Sequence, residues 1–206
     1  MMKKISAVIF DCDGVLFDSR QANTNFYNRL LSDFGLPLMT EEEISYVHMH
    51  TACESVQYIF RNYPFEEAAQ KQRLKMDYSP FIKDMVIEPG LKKLLKILKP
   101  GFALAIATNR SNTIGEVLEY NGLTEFFEVV ISSLDVQRPK PNPESLFKIL
   151  DFFKISPDES IYIGDSVVDY ETADAADVPF ISYKNRQLKA AYHLDCLMDM
   201  VDIINS

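Results

Sequence analysis

An α/β fold, a doubly wound parallel sheet with an α-helical unit inserted near its start, is predicted by three observations. Five short apolar or β-branched runs each adjoin a stretch with helical patterning. The segment from Val15 to Val86 breaks that rhythm. The polar residues that stand out fall at the ends of the apolar runs. Strands alternating with helices imply parallel pairing, because each crossover must return the chain to the same end of the sheet.

The first strand is read at Ile5–Phe10, running straight into Asp11-Cys12-Asp13-Gly14-Val15. The others are read at Phe102–Ala107, Val129–Ser132, Ser160–Ile163 and Phe180–Ser182. Helices are predicted over Leu91–Leu98, Ser111–Asn121, Pro143–Phe153, Val168–Ala176 and Ala190–Ile204. Pro143 behind Asn142 is a start signal. In the last segment Leu194, Leu197, Met198, Val201 and Ile204 recur at helical spacing and read as a face packed on the sheet, with His193 carried along without a role. Residues 15–86 hold helical patterns and no convincing strand. One helix begins after Asp18-Ser19, and another has Thr40-Glu41-Glu42-Glu43 as a capping box ahead of Ile44 and Val47. Glu88-Pro89-Gly90 returns the chain to the sheet. The domain reading is therefore a core of residues 1–14 and 87–206 and a helical cap of residues 15–86, placed by its point of departure to cover the carboxyl ends of the strands.

The 206 residues are enough to bury a substantial core. With 47% hydrophobic and 25% charged residues the composition is that of an ordinary soluble domain, and disorder is excluded. The apolar run behind Met1-Met2-Lys3-Lys4 is stopped by Asp11, too soon for a signal peptide. No run approaches the roughly 20 apolar residues of a membrane span. Cys12, Cys53 and Cys196 are widely separated and odd in number, which points to reduced thiols in the cytoplasm. With 21 basic against 30 acidic residues the net charge is −9, so nucleic acid is an unfavourable partner. The lysines at 92, 93, 96 and 99 read as the solvated face of a helix. Oligomeric state is not readable.

The chemistry lies in four places. Asp11 and Asp13, two apart on an extended chain, share a face while Cys12 points the other way. A second pair recurs in Gly164-Asp165-Ser166-Val167-Val168-Asp169, with Asp169 about one helical turn beyond Asp165. Clustered carboxylates repel one another unless they hold a hard cation, and Mg²⁺ suits oxygen ligands. Asp11, the Asp13 backbone carbonyl and Asp165 are the expected ligands, with Asp169 supporting them from behind. Thr108-Asn109 closes another strand, at what reads as a helix start, and Lys140 stands between Pro139 and Pro141.

Carboxylate, hydroxyl, lysine and carboxylate together suit phosphoryl transfer. Asp11 is the expected nucleophile and Asp13 the acid that protonates the leaving oxygen. Thr108 and Lys140 are the expected phosphate ligands, Lys140 also holding Asp11. Asn109 either touches phosphate or caps the following turn. Taken singly, Thr108 reads as a cap, Lys140 as a surface lysine, and Arg20 and Arg110 as solvated arginines.

The motifs Asp11-Cys12-Asp13-Gly14-Val15-Leu16, Thr108, Lys140 and Gly164-Asp165-Ser166-Val167-Val168-Asp169, in this order across nearly the whole chain, resemble those of the haloacid dehalogenase superfamily. The resemblance implies a Rossmann-like core with a helical cap and Mg²⁺-dependent phosphotransfer through Asp11. Asp13-Gly14-Val15-Leu16-Phe17-Asp18-Ser19 is most similar to the phosphoglycolate phosphatase-like branch, which implies a small phosphorylated metabolite as substrate. A pyrophosphatase or nucleotidase on the same core is the alternative, and a non-catalytic phosphoacceptor a more distant one. Asn23 stands where the related β-phosphoglucomutases carry histidine, which argues against mutase activity. Asp13 argues against a dehalogenase, which has no leaving alkoxide to protonate.

Overall fold

The computed structural model describes residues 5–204. Six parallel strands form the main sheet in the order β5-β4-β1-β6-β7-β8. They are β1 (Ala7–Phe10), β4 (Ala103–Ala107), β5 (Val129–Ile131), β6 (Ser160–Gly164), β7 (Phe180–Tyr183) and β8 (Tyr192–Leu194). The chain builds outward from β1 through β4 to β5, then crosses back to lay β6 on the other side of β1. That reversal puts the switch point of the sheet at β1, with the carboxyl ends of β4 and β6 beside it. Register is direct: Phe10 lies opposite Ile106 on one side and Ile163 on the other, so Asp11 emerges level with the ends of both neighbours.

The sheet is buried on both faces, as a parallel sheet requires. Ile9, Ala105, Ala107, Tyr162 and Phe180 form one core with Leu146, Ile149 and Leu150 of α8 (Glu144–Phe153) and Ala173 of α9 (Val167–Ala175). The alternate strand positions Val8, Phe10, Leu104 and Ile106 are also fully buried. The Phe10 ring meets Phe127 edge-on, with centroids 6.2 Å apart. The helix α6 (Leu91–Leu98) shows how the pattern makes the element. Leu91, Leu94, Leu95 and Leu98 recur at i, i+3, i+4 and i+7 and are fully buried, while Lys92, Lys93 and Lys96 face solvent. Each buried leucine contributes about 1.5–3 kcal/mol. The solvated lysine face is as expected.

The chain forms two compact units, leaving the first after Phe17 and re-entering it at Ile87. The second, Asp18–Val86, is helical: α1 (Arg20–Asp33), α2 (Glu41–Met49), α3 (Ala52–Phe60), α4 (Glu66–Arg73) and the short α5 (Ser79–Ile82). The Thr40 capping box on α2 is complete, with Thr40 Oγ1 accepting from Glu43 N and the Glu43 carboxylate accepting from Thr40 N. Thr51 and Glu54 repeat it on α3. Two strands of two residues each, β2 (Phe17–Asp18) and β3 (Val86–Ile87), pair as a separate sheet where the chain leaves and returns. They are too short for period-2 alternation to show. The departure lies three residues beyond the expected one, because Val15, Leu16 and Phe17 are fully buried in the first unit.

Three other differences have local causes. The helix expected from Ser111 begins only at Ile114, as α7 (Ile114–Tyr120). Pro143 precedes α8 as its cap residue, and Asn142 Oδ1 accepts from Glu144 N. The helix expected over Ala190–Ile204 is not formed as one piece. Residues 192–194 become β8, a 3₁₀ turn follows at Leu197–Asp199, and only Met200–Ile204 (α10) is α-helical. The outer edge of β7 has backbone groups to satisfy. They pair through Ala191 N to Phe180 O at 2.9 Å and Lys184 N to Leu194 O at 2.7 Å. Of the residues read at helical spacing Leu194 and Leu197 are buried while Met198, Val201 and Ile204 are half-buried, and Met200, which that spacing passed over, is fully buried. His193 is on an edge strand, exposed.

Removing a buried leucine from α6 while sparing its exposed face separates these contributions. Leu94→Ala should lower unfolding free energy by about 2–5 kcal/mol, whereas Lys93→Ala should stay within about 0.5 kcal/mol of the parent. Urea denaturation followed by circular dichroism measures both.

Candidate active site

Asp11 follows β1 directly, its backbone N–H donating to Ile163 O of β6 at 2.8 Å. Thr108 follows β4 in the same way, donating to Ile131 O of β5 at 3.0 Å. Asp165 follows β6. Ladder bonds thus carry each strand's order one residue further and place these side chains at adjacent carboxyl ends.

Lys140 joins them from the loop before α8. Its side chain is 3% exposed, and Nζ donates to Asp11 Oδ1 at 2.8 Å, Asp169 Oδ1 at 2.6 Å and the Tyr162 hydroxyl at 2.9 Å. An ammonium has three N–H donors, and here each has a protein acceptor. The lysine backbone is fixed as well. Asn109 Oδ1 accepts from Lys140 N at 3.0 Å, and Asn109 Nδ2 donates to Lys140 O at 3.1 Å. Asn109 therefore acts as a clamp on Lys140, a role outside both expected for it. Thr108 Oγ1 accepts from Arg110 N at 3.0 Å, so the first turn after Thr108 closes on its own side chain. Residues 109–113 separate Thr108 from α7, and it stands in a loop and not at a helix start.

Asp169 is buried in the first turn of α9 with both oxygens engaged. Oδ1 accepts from Lys140 and from the Tyr162 hydroxyl at 2.7 Å, and Oδ2 accepts from Ser166 N at 3.1 Å and Ser166 Oγ at 2.6 Å. Two glycines make room. A Cβ at Gly164 would lie 2.3 Å from Asp169 Cβ, and one at Gly14, where φ is +86°, would lie 2.2 Å from Asp165 Oδ2. Asn185 Nδ2 donates to the Asp165 carbonyl at 2.9 Å.

Oxygen atoms of Asp11, Asp165 and Asp169 lie within 4.8 Å of one another. Burial first, and then the Asp169 charge, push the Asp11 carboxyl up to about 7, against the pull of Lys140. Burial and the same two neighbouring carboxylates hold Asp165 well above the carboxylate range. Burial opposes the charge on Asp169 too, but Lys140 and its hydrogen bonds keep it below the ordinary range. Lys140 stays firmly protonated: burial opposes its charge, but Asp11 and Asp169 more than offset that. Two buried carboxyls, Asp11 and Asp169, and the half-buried Asp165 stand around one ammonium, so ionising all three together requires more positive charge than Lys140 supplies. A hard divalent cation fits this all-oxygen set and the space Gly14 keeps open beside Asp165.

Of the expected metal ligands, the Asp11 and Asp165 carboxylates share this cluster; Asp13 is expected to offer only its backbone carbonyl, and its carboxylate is held by Arg110. Arg110, expected to be solvated, is buried. Tyr162 was missed altogether, because a tyrosine within an apolar strand reads as core. Its hydroxyl is the only sign of more, and nothing in a one-dimensional pattern shows where that hydroxyl points.

The model of the haloacid dehalogenase-like hydrolases matches residues 8–183. The chain belongs to this family. Among curated relatives, the phosphoglycolate phosphatase of Nitrosospira multiformis is 26% identical over 214 residues, covering 93% of this chain and 89% of that one. A pyrophosphatase of Listeria welshimeri is 28% identical, covering 86% and 82%. Among solved structures, a subfamily IA hydrolase of the same superfamily from Geobacter sulfurreducens superposes with a TM-score of 0.86 at 36% identity, covering 97% and 99% of the two chains. The Rossmann-like α/β core read from the sequence is thus the fold observed, and this haloacid dehalogenase-like hydrolase is an enzyme. Among the described residues no helix is long and apolar enough to cross a membrane.

Two substitutions probe the packing of the site without touching its charged residues. Gly164→Ala should cost about 1–3 kcal/mol by driving a methyl into Asp169. Tyr162→Phe, which leaves one Lys140 N–H without its acceptor, should cost a similar amount. Thermal denaturation of the purified variants measures both, and an unchanged midpoint for Gly164→Ala would contradict the packing described.

Proposed function

We propose that this hydrolase is a Mg²⁺-dependent phosphatase of small organic phosphate monoesters, working through an aspartyl-phosphate on Asp11. The observation that carries the reading is the Lys140–Asp11 pair at 2.8 Å, set at the switch point of the sheet beside Thr108 and Asp165. Lys140 holds Asp11 Oδ1, which leaves Oδ2 to attack phosphorus in line with the departing oxygen. The Asp11 O–P bond forms as the ester P–O bond breaks, and Asp13 gives its proton to the leaving alkoxide. Water then attacks the phosphorus of the aspartyl-phosphate while Asp13 takes a proton from it, releasing inorganic phosphate and regenerating Asp11. Thr108 donates its hydroxyl to a phosphoryl oxygen, and Lys140, its backbone held by Asn109, completes the phosphate end of the site. For Lys140 this entails exchanging one of its three protein acceptors for phosphate.

Asp11, the Asp13 backbone carbonyl and Asp165 would hold Mg²⁺. When bound, the ion supplies neutralisation of the charge shared by Asp11 and the phosphoryl oxygens. Asp169, with both oxygens already engaged, supports Lys140 and Ser166 from behind. A compact phosphate such as phosphoglycolate is the substrate favoured by the Nitrosospira relative. Inorganic pyrophosphate is the second reading, favoured by the Listeria relative at similar identity. A nucleotidase would use the same chemistry. The helical unit at residues 18–86, read as a cap, is the part that would select among them. A soluble, cytoplasmic enzyme without nucleic-acid or membrane partners is consistent with the charge and cysteine pattern.

Phosphate release from a panel of 2-phosphoglycolate, other alkyl phosphates, pyrophosphate and nucleotides, with Mg²⁺ or with chelator, tests this. Turnover should require Mg²⁺ and fall by at least about 10³-fold in Asp11→Asn. Asp13→Asn should lose about 10²–10⁴-fold on alkyl esters. Persistent turnover in Asp11→Asn would remove it as the nucleophile. A single phosphoryl group transferred without turnover would make the protein a phosphoacceptor.

A further inference from the structure

Arg110 lies two residues past Thr108, in a loop distant in sequence from Asp13, yet it grips that carboxylate at two points. Nη2 donates to Asp13 Oδ1 at 2.5 Å and Nε to Oδ2 at 3.1 Å. The arginine is itself fixed: Nη1 donates to Thr113 Oγ1 at 3.1 Å, its backbone N–H donates to Thr108 Oγ1, and its carbonyl accepts from Ser133 N at 3.1 Å. Its side chain is 5% exposed, that of Asp13 13%. A guanidinium forked on a carboxylate sets the plane of the carboxylate as well as its distance, which a point charge such as lysine cannot do.

Stability is a poor explanation for this pair, since withdrawing two charges from water offsets most of what their attraction contributes. An anion-binding role for Arg110 is no better placed, because its fork is turned onto a carboxylate of this chain. What the fork does supply is direction. Asp13 follows β1 at the turn where Gly14 takes φ +86°, and the two-point fork restrains its side chain against rotation about Cα–Cβ and Cβ–Cγ. A displacement of about 1 Å in a proton donor is enough to cost roughly 10²-fold in rate.

Resting on the phosphatase reading above, we propose that Arg110 is the positioning residue of Asp13: it fixes the angle from which the Asp13 carboxyl meets the leaving-group oxygen, without touching the substrate. Thr108 and Thr113 in turn hold Arg110, so the loop that closes β4 sets both the phosphate end and the acid end of the site.

The test compares leaving groups. Kinetics with 2-phosphoglycolate, or whichever alkyl phosphate of the panel turns over fastest, are set against p-nitrophenyl phosphate, whose leaving group departs without a proton. Wild type, Asp13→Asn, Arg110→Met, Arg110→Lys and the Asp13→Asn/Arg110→Met double variant are measured. Arg110→Met should lose about 10–10²-fold more in kcat on the alkyl ester than on the aryl ester, with KM for both nearly unchanged. Arg110→Lys should recover part of that loss, and on the alkyl ester the double variant should be no slower than Asp13→Asn alone. Equal losses on both esters, a raised KM at constant kcat, or additive losses in the double variant would overturn the proposal. If Arg110→Met does not fold, Arg110→Gln carries the same comparison. Should Asp13→Asn itself treat the two esters alike, the fault lies with Asp13 as acid. Should Asp13→Asn discriminate and the Arg110 variants not, only the role given to Arg110 fails.

Discussion

Lys140 Nζ places one positive charge between the carboxylates of Asp11 and Asp169, all three groups withdrawn from water. Much of the surrounding architecture follows from keeping that charge there. An ammonium unpaired at this depth would lose its proton, and either carboxylate unpaired would take one up. The Tyr162 hydroxyl occupies the third donor, the Asn109 amide fixes the lysine backbone from both sides, and Ser166 holds the far oxygen of Asp169. Tyr162 can reach because it sits on β6 with its ring in the core between α8 and α9, and its hydroxyl also lies 3.2 Å from the Ala107 carbonyl at the end of β4. The hydrophobic core and the polar site therefore share a residue, and the order of one depends on the packing of the other.

The glycines belong to the same constraint. A buried carboxylate cluster must be approached closely by backbone, and at Gly14 and Gly164 a side chain would occupy the volume that Asp165 and Asp169 need. At Gly14 the left-handed φ adds a second reason, so the position combines two requirements that only glycine meets together. Gly164 is the last residue of β6, and Gly14 lies in the turn that follows β1.

What could be read from residues alone follows from how each signal is encoded. β1, β4 and α6 were legible because burial on both faces makes a strand a continuous apolar run and burial on one face gives a helix a period. Asp11, Thr108 and Asp165 were legible because strand ends collect polar groups in a parallel sheet, so that being next to an apolar run already carries spatial information, whereas Lys140 was legible from its flanking prolines and its place in the order of motifs. Arg110 and Tyr162 were not legible, since what matters about each is a partner far away in sequence, Asp13 for one and Lys140 with Asp169 for the other. The C-terminal segment failed differently. Leu194 and Leu197 are buried as their spacing implied, but the open edge of β7 competed for the backbone, and edge pairing is a tertiary demand that no local period records.

The distribution of charge in the site also bears on what it can bind. Asp13 is balanced by Arg110 within hydrogen-bonding distance, so that pair adds little net field to its surroundings. The imbalance falls instead on Asp11, Asp165 and Asp169, of which Lys140 pairs with Asp11 and Asp169. A phosphate dianion brought to such a site would meet repulsion from every side but one. Filling the deficit with further lysines would neutralise the carboxylates, yet it would also occupy their oxygens. A compact divalent cation adds the missing charge without a side chain of its own, and it can be shared between a carboxylate and an incoming oxyanion. The excess of acid at the ends of β1 and β6 is thus the feature through which, with a cation bound, an acidic protein would receive an anionic substrate, and the Asp13–Arg110 pair stands outside that arrangement.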